Sequence, residues 1–434
     1  MEAVVLSLFC IFLILCVALK LSVLYALGAG LVLFVIYAFL KGFSARRTAE
    51  MCLDGIKTAG NIIISMMLIG IMTALWRQAG TVSVIVLGGC RLISPRIIVL
   101  MSFVLCSAVS VLIGTSFGTA ATMGVICASL AGAMGVPPAF YGGAILAGCY
   151  FGDRCSPVST SALLVSGLTK TNLHDNIKMM AKSAVIPFII SCVLYFAVGG
   201  GGAETENIPD LYPVFAGETK LSVFCLIPAA VIIILSIFRV KVKKTMLLSI
   251  ASAVLVCIFV QKASLTEILK TAVLGYIPKT EAASRLLRGG GAASMINVVA
   301  ILCISSAYAG IFSGTELISG IKKAVGTTSS VLGPFGAAAA VSVITSGISC
   351  NQTLATMLTH QLCAETEKDE KLMAITLENT VIVIAPLIPW SIAGGVPLSS
   401  VGAPTSALAF AFFLYVLPLW HFAKSIIKKY GRGK

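Results

Sequence analysis

The chain has 434 residues, 58% of them hydrophobic and only 11% charged, with a mean hydropathy of +1.02. Roughly a quarter of an ordinary soluble domain is charged, so a soluble globular protein is excluded. The net charge of +14 is not a nucleic-acid footprint, because the Lys and Arg sit in short loops between apolar runs and not on one polar face.

The apolar runs are about 17–20 residues long, the length a helix needs at about 1.5 Å per residue to cross a hydrocarbon core of ~30 Å. They lack strict alternation, which excludes an outer-membrane barrel. The N-terminal MEAVVLSLFCIFLILCVALK carries Glu2 where a signal peptide has positive charge, and it lacks a small-residue cleavage pattern, so it is read as the first span. Spans are then expected at 3–19, 21–40, 60–76, 97–113, 119–135, 138–152, 183–198, 220–238, 245–260, 292–312, 328–348 and 404–420. Shorter pieces at 82–95, 156–168 and 379–400, interrupted by Gly, Pro or polar residues, are read as hairpins or broken helices.

Lys41, Arg46, Arg47 and Lys57 mark one side, Arg239, Lys241, Lys243 and Lys244 the same side later, and Lys424, Lys428, Lys429, Arg432 and Lys434 close the chain. The positive-inside rule makes all three cytoplasmic, together with both termini, and leaves the acidic loop from Gly199 to Lys220 outside. The expected fold is an all-α polytopic membrane protein of about 10–13 segments in a bacterial inner membrane, built from two inverted-topology repeats with broken helices or re-entrant hairpins. The first repeat is 1–198, the external linker 199–219, and the second repeat with a cytoplasmic tail 220–434. Sliding the chain by 234 positions supports the repeat, since Thr119, Ala121, Thr122 and Met123 fall on Thr353, Ala355, Thr356 and Met357.

Four segments put polar residues at membrane depth, where irregular backbone is tolerated only when buried in protein or lining a cavity. They are Thr115 to Thr122, GDRCSPVSTS from Gly152, SGISCNQTLAT from Ser346, and ENTVIVIAPLIPW from Glu378. Hydroxyls, amide oxygens and a carboxylate are hard donors suited to an alkali cation. The candidate cation and proton ligands are Thr115, Ser116, Thr119, Asp153, Ser156, Asn351, Gln352, Thr353 and Glu378, with sodium at Asp153, Thr119 and Asn351. For any single Ser or Thr, a hydrogen bond between packed helices is the simpler account. Asp153 has a static ion pair with Arg154 as its alternative role, although adjacent helical residues do not face each other; Glu378 has that of a span-end carboxylate. Asn379, Trp390 and Ser391 are candidates for a solute pocket. The fourteen Cys include no CxxC pair and no His at ligand spacing, so disulfides and bound metal are not expected.

GTSFGTAAT at Gly114 to Thr122, GDRCSPVS at Gly152 to Ser159, RLLRGGGAASM at Arg285 to Met295 and the LEN and PLIPWS segments between Leu377 and Ser391 resemble the NhaC family of sodium/proton antiporters, within the ion-transporter superfamily. The resemblance spans about residues 50–420. It implies a secondary transporter that exchanges sodium for protons through two inverted repeats. The chain departs from the family pattern at Thr160 and Asn379, where acids usually stand, and at Ser391, where an Asn does. That loss leaves room for an alternative, sodium-coupled movement of a small organic solute such as an amino acid or carboxylate. The expected partners are the lipid bilayer, sodium, protons and such a solute, with no nucleic acid and no cofactor; a homodimer is left open. An enzyme is not expected, since His174, His360 and His421 are spread along the chain, and no filter motif argues for a channel.

Overall fold

The structure, a computed structural model, describes residues 2–19, 23–157, 159–201, 212–238, 240–315 and 322–431. Glu204, Glu206 and Asp210 of the expected external loop, and Arg239, Arg432 and Lys434, lie outside the described residues. The described chain is helical, and its β pairing is confined to an isolated antiparallel bridge between Tyr276 and Gly289.

Ser116–Ala133, Leu173–Gly199, Ala292–Phe312 and Thr328–Ser349 are long and apolar enough to cross a membrane, and three bent helix pairs raise the set to seven. Shorter apolar helices such as Leu24–Leu40, Ile98–Ile113 and Phe412–Ile427 extend it toward the expected number. Their outer faces are apolar. On the Leu173–Gly201 helix, Val185, Ile186, Ile189, Val193 and Phe196 are exposed while Met180, Ala184, Ser191 and Tyr195 are buried. An exposed stripe of this kind suits acyl chains and not water, so the chain is a polytopic α-helical membrane protein.

Inside, helices approach closely where glycine removes the side chain. A Cβ at Gly152 would land on the backbone of Ser110 and Val111, which presses Pro138–Cys155 onto Ile98–Ile113. Gly55 and Gly310 do the same where Ala45–Gln78 crosses Ile296–Thr315. The cores run across the 1–198 and 220–434 division. Phe9 and Phe34 meet Tyr308 and Phe312 edge-on or tilted at centroid separations of 4.6–5.6 Å, and Phe103, Phe151 and Phe188 group with Phe413 of the C-terminal helix. Each end of the chain is thereby fastened to the opposite half.

Glu218, expected as an acid of the external loop, is nearly buried. Its carboxylate accepts from the N–H groups of Lys279 (2.9 Å) and Thr280 (2.7 Å) and from the hydroxyls of Thr280 (2.9 Å) and Tyr276 (3.4 Å). Burial alone would push this carboxyl up, but the four donors outweigh it and hold it below the usual carboxylate range. A lowered folded-state value adds stability that is present above the unfolded-state value and is lost as pH falls through the folded one. Glu218→Gln is expected to lower stability by about 1–3 kcal/mol at neutral pH and to remove part of the acid sensitivity. Thermal unfolding of both proteins from pH 7 to pH 3 checks this; parallel curves would contradict it.

Candidate functional site

Two long helices are interrupted in the same way. Ile98–Ile113 ends at Gly114, with φ 73°, and Lys322–Ser349 ends at Cys350, with φ 52°. The next residue is extended in both, Thr115 at φ −150° and ψ 128° and Asn351 at φ −139° and ψ 125°. Each then starts a new helix and caps it. Thr115 Oγ1 accepts from Gly118 N (3.2 Å) and Asn351 Oδ1 from Thr353 N (2.9 Å).

A second pair of breaks matches as well. Pro138–Cys155 and the segment Val381–Leu387 both stop before a Pro, and the new helices are capped by Ser159 and Ser391, at φ/ψ −69°/134° and −76°/136°. The structural register therefore pairs Thr115 with Asn351 and Ser159 with Ser391. These pairs lie 236 (351 − 115) and 232 (391 − 159) positions apart, on either side of the 234-residue offset, so the caps shift the local register by two residues at each break.

The four new helices begin around one cavity of about 150 Å³, lined by Thr115, Ser116, Asp153, Asn351, Gln352 and Thr353 and closed by Ile62, Phe117, Thr160, Ile392 and Ala393. Asp153 is only 4% exposed. Its Oδ1 accepts from Ser159 Oγ (3.2 Å), its backbone carbonyl accepts from Ser161 Oγ (2.8 Å), and the Gln352 side chain and Ser116 backbone lie beside the carboxylate. Helix N-termini stabilise negative charge, and the freed carbonyls at each break stabilise positive charge. A lone carboxylate thus sits where its own charge is supported and where oxygen donors are at hand for a cation.

Other candidates lie outside this cavity. Thr119, one turn into its helix, donates to Thr115 O (3.0 Å), and Ser156 Oγ donates to Val111 O (2.7 Å). Glu378 is fully buried, and neither carboxyl oxygen has a hydrogen-bond partner among the described residues. Trp390 and Ser391 line an adjoining cavity of about 210 Å³ that shares Ile392 with the first. Asn379 is not with them.

Asn379 instead holds Arg154, also fully buried. The guanidinium donates to Asn379 Oδ1, to Ser183 Oγ (2.7 Å), to Glu378 O (3.1 Å) and to Met180 O (3.3 Å). Asp153 and Arg154, adjacent on one helix, point to different neighbours, and among the described residues no carboxylate lies within ion-pair distance of the guanidinium. The Asp153–Arg154 ion pair is thereby excluded.

Tyr150, Ser159, Ser161 and Thr160 were missed as site residues by sequence reasoning. Tyr150 precedes Asp153 by one turn on the same face, a periodicity that could have flagged it, and its hydroxyl donates to Ala393 O (2.8 Å).

Broken helices meeting at a buried carboxylate define an integral membrane protein of the kind that binds ions between discontinuous helices. Residues 148–423 match the model of the Na+/H+ antiporter family, and the chain belongs to that family. It is similar to the Na(+)/H(+) antiporter NhaC of Bacillus subtilis, 27% identical over 89% of this chain and 88% of that protein. The arginine/ornithine antiporter ArcD of Halobacterium salinarum is 28% identical over 82% and 76%, and the malate-2H(+)/Na(+)-lactate antiporter of Bacillus subtilis 23% over 86% and 83%.

Because Arg154 rests on neutral acceptors, removing one of them leaves part of a buried charge unsolvated. Asn379→Leu is expected to cost about 1–3 kcal/mol, seen as a lower melting temperature, while Asn379→Asp keeps an acceptor and melts at or above the parent protein. Equal melting of the Leu variant and the parent would contradict the role given to Asn379.

Proposed function

We propose that the protein is a secondary active transporter that exchanges sodium for protons, the two ions competing for the Asp153 cavity. The observation that carries this reading is that Asp153 alone among the described residues brings a carboxylate to a cavity lined by oxygen donors from four helix starts. Sodium is held by that carboxylate with oxygens of Thr115, Asn351 and Thr353 and with carbonyls freed at the breaks. A proton on the same carboxylate removes the charge that holds sodium, so one ion leaves as the other arrives. The N–H groups and helix dipoles around Asp153 keep its charge supported between the two. The breaks at Gly114 and Cys350 supply the points about which half-helices tilt to open the cavity to either side, with both chain termini cytoplasmic.

Glu378 is the second candidate proton carrier, within electrostatic reach of both Asp153 and Arg154. If the exchange moves unequal charge, the membrane potential acts on it with about 2.3 kcal/mol per charge per 100 mV.

A second reading, sodium-coupled movement of a small organic solute, is supported by the cavity at Trp390 and Ser391 beside the Asp153 cavity. The names of the arginine/ornithine and malate/lactate relatives fit the same reading.

Proteoliposomes carrying a pH dye, given a sodium pulse with no organic solute, test the first reading. Proton movement is expected, with the sodium concentration for half-maximal rate rising about tenfold per unit fall in pH where protons compete one for one. Asp153→Asn keeps the shape and is expected to abolish the response while the protein stays folded. A flat trace from inserted parent protein, restored only by solute, would overturn the first reading in favour of the second.

A further inference from the structure

A separate cavity of about 470 Å³ lies at the other end of the Ile392–Ser400 helix, where Ser400, Val401 and Gly402 line it, whereas Ile392 and Ala393 line the Asp153 cavity. Its charged lining consists of two arginines, Arg77 and Arg288, with no acid among the lining residues described. Arg77 stands in the last turn of Ala45–Gln78. Its Nη1 donates to Thr73 O (3.0 Å), and its Nε is buried with no hydrogen-bond partner among the described residues.

Arg288 is delivered by the three glycines that follow it. Gly289, Gly290 and Gly291 have φ of 128°, 75° and 85°, conformations that side-chain-bearing residues rarely adopt. Gly289 forms the bridge to Tyr276, Gly291 N donates to Gly70 O (2.6 Å), and a Cβ on Gly290 would land on the backbone of Ala74. The loop is thus docked on the helix turn that leads to Arg77. Close docking of this kind brings two guanidinium groups to one cavity, an arrangement that repels unless an anion joins it.

Helix ends add to the field. The N-terminus of Pro138–Cys155 faces the cavity through Pro137, Pro138 and Tyr141. The C-termini of Ser116–Ala133 and Ile392–Ser400 are also near, but their last carbonyls are occupied, Leu130 O by Met134 N, Ala131 O by Val136 N, Gly132 O by Gly135 N, Leu398 O by Val401 N and Ala403 N, and Ser399 O by Gly402 N. The balance is positive. Val125, Ala128, Val136 and Val401 supply apolar wall, which a hydrated inorganic ion does not need and a carbon skeleton does.

We infer that this cavity is a binding site for a small organic carboxylate, held by the forks of Arg77 and Arg288. The site stands apart from the Asp153 cavity and does not depend on what that cavity carries.

Calorimetric titration of the full chain in phosphatidylcholine nanodiscs, with the choline salt of succinate as probe and no sodium present, tests it. Saturable binding is expected, weakened at least tenfold by Arg288→Gln and by Arg77→Gln, and unchanged within twofold in Asp153→Asn. Arg288 is exposed, so its variant decides the matter even if Arg77→Gln does not fold. No heat from the parent protein, binding within twofold in Arg288→Gln, or full displacement by equimolar chloride would overturn the inference. Loss of sodium/proton exchange without loss of succinate binding would count against the exchange reading alone.

Discussion

A backbone that leaves its helix inside an apolar medium must have each freed N–H and C=O taken up, because an unsatisfied group there costs several kcal/mol. This chain meets that constraint four times at one place, and the geometry of the site follows from how it does so. Thr115, Ser159, Asn351 and Ser391 each turn a side-chain oxygen onto the first N–H groups of the helix they begin. The breaks also satisfy one another. The carbonyl of the left-handed Cys350 accepts from Ile392 N (3.0 Å), which ties the third break to the fourth, and Ser156 Oγ reaches Val111 O, which ties the second to the first. The cavity is the space enclosed by these mutual contacts.

Charge is distributed around that cavity by helical geometry. Neighbouring residues on a helix diverge by about 100°, so Asp153 reaches the broken backbone while Arg154 runs to Asn379, Ser183 and two carbonyls. The guanidinium is a permanent internal charge, solvated by the protein itself, at one side of Glu378. Carboxylate and guanidinium would neutralise each other if paired, and the site would then have nothing to offer a cation. Their separation leaves Asp153 available.

Much of this was legible in the residues. Long apolar runs announced the helices, and Gly or Pro near Ser, Thr and Asn pointed to the four segments that break, although the third turns at Cys350, whose left-handed backbone no residue type announced. Matching positions in the two halves pointed to Ser116, Thr119, Asp153 and Ser156 approaching Asn351, Gln352 and Thr353. Thr115, Ser116 and Asp153 line the cavity with those three, whereas Thr119 and Ser156 turn to backbone carbonyls instead. The local register did not show, since identities such as Thr119 with Thr353 are cheap among small residues and caps are visible only as backbone angles. Tertiary partners were hidden for the same reason: Asn379 reads as a polar residue near PLIPW, yet its contact lies 225 positions away at Arg154. Gly289 to Gly291 stood in the sequence only as part of RLLRGGGAASM, and their close docking on the helix that carries Arg77 is visible only in the structure.

The account rests on sodium and a proton exchanging at one carboxylate. Calorimetry of sodium binding to the purified protein, run in buffers of different ionisation enthalpy, counts the protons released per sodium bound. The account predicts release of about one proton over the pH range where the site titrates, and none from Asp153→Asn. Sodium binding that displaces no proton at any pH, or that persists unchanged in Asp153→Asn, would contradict it.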